Sequence, residues 1–417
     1  MTFHRGSLTH SDFKKLAQKL TQHWTRQGFI SKQNFEDGNN GLRTGLKFQI
    51  INETEVFVSL AGYLPLPGDK EFLHARRYFN YELIDIVVKR FYKKMKKEHR
   101  DKVIPPAFNG TRPHPRAKSI EFFINLEDTV TQYDPDKMNC YSFGSPVYSP
   151  VLGAVGCSHS SSNIAIPQMC YEDRSIRRWP SVISNIKHFR DRFPWNERKE
   201  KAVFRGGLRT CLHNATETGE CISPLAYKNE ADVVEEFQHP NGTIELVHYT
   251  RLCGRVALHD FGKQHQDLLD VEIYGKNIPM PLQEQFKYIV YAEGHSGWAN
   301  RLRRQAFMGT LVLKQLSSCQ EWYAYDMKPY VHYVSVDYYF LNVTTAVEWS
   351  RANDDKAKHI VSNMNRYADN YLHVEHMEEY MYHILEMFYE LTNYEVVRDP
   401  NTIPIQQALS ENAKYGN

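Results

Sequence analysis

The chain has 417 residues, of which 41% are hydrophobic and 24% charged, and a formal net charge of +2. That length is enough for two or three domains with cores of their own, and the near balance of charge excludes a chain built for wholesale nucleic-acid binding. A mean hydropathy of −0.57, with no apolar run near ~20 residues, excludes an ordinary membrane-spanning helix, and the opening MTFHRGSLTHSDFKK has no apolar core of a secretory signal.

Residues 12–28 read as a first helix. FQIINETEVFVSL, residues 48–60, reads as two strands around an Asn-Glu turn. From Glu71 to about His99 the pattern is helical, because Ile84, Val87, Val88, Phe91 and Met95 recur at spacings of three and four. The terminal KKMKKEHR is expected to be a solvated face. A Pro-rich loop follows, then a compact strand, Phe122 to Leu126, which ends at Glu127 and Asp128. Residues 140–170, rich in Ser, Gly and Pro, look irregular. A helix over 178–195 runs into Phe-Pro-Trp. AVFRGG, 202–207, reads as a strand followed by a glycine turn, and further strands are expected at 243–250, 288–292, 310–314 and 331–336 with helices between them. This alternation predicts an α/β fold with a parallel sheet. The last sixty residues are helical, with Val374, Met377, Met381, Ile384 and Phe388 on one apolar stripe; His373, His376 and His383 beside it read better as packed polar side chains than as metal ligands.

The seven cysteines contain no C-x-x-C pair, so a zinc ribbon is not expected, and Cys211 and Cys221 could close a small loop. Sequons at Asn52, Asn109, Asn214, Asn241 and Asn342 favour the lumen of the secretory pathway, with the cytoplasm as the alternative.

The chemistry concentrates in two stretches. YIVYAEGHSGWANRLRRQAFMGTLVLK, 288–314, passes from a strand through glycines to an arginine-rich helix. Glycines let a ligand approach the backbone, a helix N-terminus offers unpaired N–H groups, and Arg301 adds a planar fork suited to phosphate. AVFRGGLRT repeats the pattern, with Arg205 and Arg209 bracketing Gly206 and Gly207 just past a strand. In a parallel sheet, ligands bind beyond the carboxyl ends of strands. Two such turns predict a diphosphate clamp made of Arg205, Gly206, Gly207, Arg209, Gly294, Ser296, Gly297, Trp298 and Arg301.

The segment E-G…W-x-x-R followed by a run ending L-V-L-K resembles the donor-site motif of family 90 glycosyltransferases, the group of capsule-associated xylosyltransferases and protein O-glucosyltransferases. FPWNERKEKAVFRGGLRT is similar to that family's W-P-W…F-R-G-S-R-T, EWYAYDMKPYVHYVSV to its E-F-F-Y-P-x-L-K-P-W-V-H-Y-I-P-V, and VEWSRANDDKAKHIVSNMNRYADNYL to its helical follow-on with A-N-D-D. The resemblance runs from about residue 120 to 390. It implies a GT-B fold, with two Rossmann-like domains facing a cleft and the final helices crossing back: residues 1–195 as the acceptor side, 196–360 as the donor side and 361–417 as helices returning to the first domain. It also implies an inverting, metal-independent transfer of a sugar, xylose or glucose, from a UDP-sugar to a hydroxyl of a glycan or of a protein Ser/Thr. No cofactor, nucleic acid or membrane span is implied, and a monomer is expected. The family's base is an aspartate after an I-N-x-x-D strand, which FFINLED matches at Asp128. The chain departs from the family at Gly207, where the pattern has serine, at the inserted Leu208, and at Thr129, where it has proline; Glu127 is therefore a rival base. Asp134-Pro-Asp136 leaves open a metal-dependent GT-A transferase, and a catalytically inactive binding module and a nucleotide-sugar epimerase are the other readings weighed.

Overall fold

A computed structural model describes residues 10–27, 29–42, 44–62, 71–98, 103–104, 114–126, 150–157, 163–168, 174–207, 234–238, 244–248, 254–273, 275, 277–294, 299–317, 319–337 and 340–416. The chain forms two compact units, one of residues 1–137, 142–179 and 370–417, the other of residues 138–141 and 180–369. It is a mixed α/β fold with two main sheets, one of them entirely parallel.

The first unit opens with helices α1 (His10–Gln27) and α2 (Lys32–Gly41), then strands β1 (Gly45–Ile51) and β2 (Glu55–Ala61). The β1–β2 hairpin turns through Asn52 and Glu53, both in the left-handed region at φ 49° and 64°, which matches the twist of a tight hairpin. Helix α3 (Glu71–Glu98) follows, and Ile84, Val87, Val88 and Phe91 are buried as its spacing predicts. Strand β3 (Ile120–Asn125) pairs antiparallel with β1, and all six of its residues are buried. Strands β4 (Val151–Gly153) and β5 (Asn163–Ala165) then extend the sheet in parallel, inside a stretch read as irregular. Three-residue strands are too short to leave a periodic signal.

The second unit contains α4 (Trp179–Arg192), β6 (Lys199–Gly206), the strands β7 (Val234–Gln238) and β8 (Ile244–His248), α5 (Gly254–Gln264), β9 (Leu269–Ile273), β10 (Phe286–Tyr291), α6 (Leu302–Gln305), β11 (Leu311–Gln315), β12 (Val334–Val336), α7 (Val343–Ala352) and α8 (Asp354–Tyr371). Its five-stranded sheet has the order β9-β6-β10-β11-β12, all parallel. Strands β10 and β11 are buried throughout, as expected where both faces of a parallel sheet are covered. Ala202, Phe204, Tyr288, Val290, Leu311, Leu313, Val334 and Val336 alternate onto one face and pack with Leu258, Val343, Val347 and Ile360 from the helices.

Two expectations are corrected here. The strand expected at 243–250 pairs antiparallel with β7 in a separate two-stranded ribbon. The parallel sheet is completed instead by β9, an edge strand whose Asp270 and Glu272 interrupt the apolar run.

The chain then returns to the first unit through α9 (Val374–Leu391), which packs on α1, α3 and β3. Met377, Met381, Ile384 and Phe388 are buried as the stripe requires. Phe388 lies 5.2 Å from Phe122 and Tyr382 stacks on Phe91 at 4.5 Å. His376 stacks on Phe13 at 5.3 Å, so this histidine is a packing group. Strand β13 (Ile403–Pro404) adds to the free edge of β2, and α10 (Ile405–Glu411) packs on α3.

Candidate functional site

In the second unit the strand sequence runs 2-1-3-4-5 across the sheet, so its order reverses between β6 and β10. In open parallel sheets, ligands bind beyond the carboxyl ends of the strands at such a reversal. The two Arg/Gly turns leave the sheet at this point: Arg205-Gly206-Gly207 ends β6 and Ala292-Glu293-Gly294 follows β10.

The turns are joined by arginines. Arg301 Nη1 donates to the carbonyl oxygen of Arg205 at 2.8 Å, and its guanidinium carbon lies 4.9 Å from the Phe204 ring centroid. Gly206 is a close-approach position, because a β-carbon there would stand 3.0 Å from the Phe204 ring and 3.3 Å from Arg301 Nη2. Arg255, at the start of α5, donates through Nη1 to Gly207 O at 2.8 Å and through Nη2 to Ala292 O at 3.2 Å, and its guanidinium also lies by the Phe204 ring, at 5.4 Å. Arg255 therefore ties one glycine turn to the other while almost fully buried. Sequence reasoning passed over it, although Gly254-Arg255 repeats the Gly/Arg pairing of both turns.

Arg205 is placed differently. Strand alternation puts its side chain on the face opposite Phe204, where the guanidinium pairs with the Asp270 carboxylate and donates to Asp270 O at 2.7 Å and Phe204 O at 2.9 Å. Its backbone carbonyl accepts from Arg301, and its side chain braces the edge strand. The arginine-rich helix expected after β10 is one turn, Leu302–Gln305, with Arg301 at its N-cap. So short a helix carries little dipole, and the arginines and glycines carry the argument instead. The turn ends because the chain must feed β11 through Gly309, whose N–H donates to both carboxylate oxygens of the buried Glu284 at 3.0 and 3.1 Å. Asp128, Glu127, Arg209, Ser296, Gly297, Trp298, Asp134, Asp136, Cys211 and Cys221 lie outside the described residues.

Below the turns lies a buried polar cluster. Gln315 accepts the N–H of Glu293 at 2.8 Å and the Tyr291 hydroxyl accepts that of Ala299 at 2.9 Å, so both ends of the loop between β10 and α6 are fixed from the sheet. Lys314, opposite Tyr291 in the register, lies 5.6 Å from its ring. Burial pushes the Lys314 ammonium down to about 8. Burial likewise pushes the Glu321 carboxyl up to about 7, against the hydrogen bond it accepts from Tyr323 at 2.6 Å. A network of this kind is rigid when satisfied, and it holds the second turn in place.

The chain is similar in sequence to several known proteins. Protein 179R of Invertebrate iridescent virus 6 is 25% identical over 239 residues, covering 53% of this chain and 19% of that protein. Protein 035R of Invertebrate iridescent virus 3 is 27% identical over 309 residues, 69% of this chain and 26% of that protein. Human protein O-glucosyltransferase 1 is 23% identical over 223 residues, 54% of this chain and 50% of that protein. The match thus spans about half the length of the O-glucosyltransferase and only 19% and 26% of the two viral proteins. The sequence model of glycosyl transferase family 90 matches residues 114–416, most of the chain, and this protein therefore belongs to glycosyl transferase family 90.

Proposed function

We propose that the protein is an inverting UDP-sugar glycosyltransferase of GT-B class, with residues 180–369 as its donor-binding Rossmann-like unit and the other unit on the acceptor side. The observation that carries this reading is the convergence of Arg301, Arg255, Gly206 and Gly207 at the strand-order reversal between β6 and β10. Fixed cationic forks beside close-approach backbone suit a diphosphate and the charge that grows on it as it leaves. In the proposed reaction an acceptor hydroxyl forms a new C–O bond at the anomeric carbon while the bond to UDP breaks on the opposite face. Asp128 takes the hydroxyl proton, and guanidinium groups do what a cation does in metal-dependent transferases.

The name of the human relative, protein O-glucosyltransferase 1, favours glucose as the sugar and a protein hydroxyl as the acceptor; xylose and a glycan hydroxyl are the competing pair. A secretory location is supported by the disulfide that holds Cys319 and by the exposed sequon residues Asn52 and Asn342. Among the described residues no helix is long and apolar enough to cross a membrane.

Titration calorimetry with UDP tests the reading. The expected result is one binding site with the same affinity in EDTA and in Mn²⁺. A strict metal requirement would restore the Asp134/Asp136 alternative, and no binding of UDP would overturn the donor site.

A further inference from the structure

A cavity of about 400 Å³ lies between the turn before β12 and the corner joining α7 to α8. It is at the other end of the sheet from the donor turns. Asp354, which opens α8, bonds Lys287 Nζ at 3.0 Å near the start of β10, whereas the donor turn follows the last residue of that strand. One wall is aromatic: Tyr330 and Trp349 meet edge to face at 5.1 Å. The facing wall is a ladder on α8, where Asp355, His359 and Asn363 recur every four residues and so share one helix face above Ile360, with Lys356 beside them.

Tyr330 is held in an uncommon conformation. Its φ is 58°, a region that favours glycine, yet the residue is a tyrosine and is 54% exposed. The turn enforces this: Tyr330 N–H donates to Tyr333 O at 2.6 Å, and Lys328 N–H donates to His332 Nδ1 at 2.9 Å. Such strain gathers at ligand sites, and here it holds a half-exposed ring against Trp349 at the cavity wall.

We infer that this cavity is a second carbohydrate site, binding a pyranose residue of a glycan separately from the UDP-sugar donor. The apolar C–H face of a sugar ring fits an aromatic wall, and its hydroxyls, each both donor and acceptor, fit a mixed set of carboxylate, imidazole, amide and ammonium groups. A ladder of mixed character selects no single charge, which separates this cavity from the cationic donor turns. A cavity of this volume is within the range of small-ligand sites. Bound there, a glycan acceptor or product would be held at a point away from the transfer chemistry.

The test uses the full chain with maltotriose, cellotriose and xylotriose as probes, read by saturation-transfer NMR and by the fluorescence change of tryptophan, with UDP calorimetry on the same samples. At least one trisaccharide is expected to bind saturably to the wild type. Tyr330→Gly removes the ring and relaxes the backbone, and His359→Ala removes one rung; each should weaken the sugar by about tenfold, the worth of one good contact. Tyr330→Gly should keep its melting temperature, which a merely structural Tyr330 would not, and both variants should bind UDP like the wild type. Absence of binding by all three trisaccharides, or unchanged sugar affinity in both variants, overturns the inference. Sugar binding without UDP binding would overturn the donor reading and leave this one standing.

Discussion

Arg301 and Arg205 meet through side chain and backbone: the guanidinium of the first donates to the carbonyl oxygen of the second at 2.8 Å, across the reversal point of the parallel sheet. The contact draws the segment after β10 onto the end of β6. Arg301 thus serves the fold through one nitrogen while its fork remains beside the close-approach glycine at 206. The Arg205 guanidinium points the other way, onto Asp270. Two arginines of similar sequence context therefore have different work, and the variants below separate them.

Arg301→Ala should weaken UDP binding by about 1.5–3 kcal/mol, the worth of a hydrogen bond to a charged group, and slow transfer accordingly. Arg301→Lys should recover only part of this, because a point charge does not copy a planar fork. Calorimetry and initial rates measure both. Wild-type UDP affinity in Arg301→Ala would sink the donor assignment.

Arg205→Ala should register mainly as stability. The Arg205–Asp270 pair braces β9 on the sheet, and a double-mutant cycle with Asp270→Asn should show coupling of roughly 0.5–3 kcal/mol in chemical denaturation. UDP affinity should fall less than in Arg301→Ala. Equal loss of UDP binding in the two variants would mean that the Arg205 side chain turns toward the ligand.

Arg255→Lys keeps the charge but cannot span Gly207 O and Ala292 O together. Loosened turns should raise the KM for the donor more than they lower kcat, with a modest drop in melting temperature. An unchanged KM would show that the joining of the turns is incidental to binding.

How far these roles can be read from the sequence depends on how local their causes are. The α9 stripe and the buried runs of β10 and β11 are legible because burial imposes a period on neighbouring residues. The two Arg/Gly turns are legible as turns because glycine just past a strand marks a break in the backbone. Arg255 is not, since its bonds reach residues 48 and 37 positions away and exist only once the sheet has closed. The sequence does not show which sheet β8 joins for the same reason: its β propensity is local, but its partner is not. β9 escaped notice because an edge strand tolerates acidic residues on its open face.

His332 gives a pH signature. Burial, with Lys328 and Arg366 adding to it, pushes its pKa down to about 4, and its Nδ1 accepts the Lys328 N–H at 2.9 Å. The unfolded chain therefore binds this proton more readily than the folded one between about pH 4 and its ordinary value of 6.5. Its contribution to stability is complete above pH 6.5 and is lost as pH falls toward 4. Allowing for partial solvent screening, the loss should be about 1–2 kcal/mol. His332→Asn retains an acceptor without the titration. Denaturant unfolding at pH 7 and pH 4.5 should show a smaller drop for the variant than for the wild type; equal drops would refute the assignment.

Asp128 follows an entirely buried strand that ends at Asn125, and the family's pattern puts the base at this distance from the strand. General-base catalysis is worth about 10²–10⁴ in rate. Asp128→Asn keeps the shape and removes the basicity, so transfer should fall by roughly that factor. UDP affinity should hardly change if, as proposed, the base serves the acceptor oxygen and arginines of residues 180–369 hold the diphosphate. A carboxylate that merely caps a local turn makes the opposite prediction, a lower melting temperature with transfer retained. Glu127→Gln completes the comparison. If Asp128→Asn transfers normally and Glu127→Gln does not, the missing proline at residue 129 has moved the base by one position along the chain. If neither substitution slows transfer, the proton is taken elsewhere and the family's base has no counterpart in this segment.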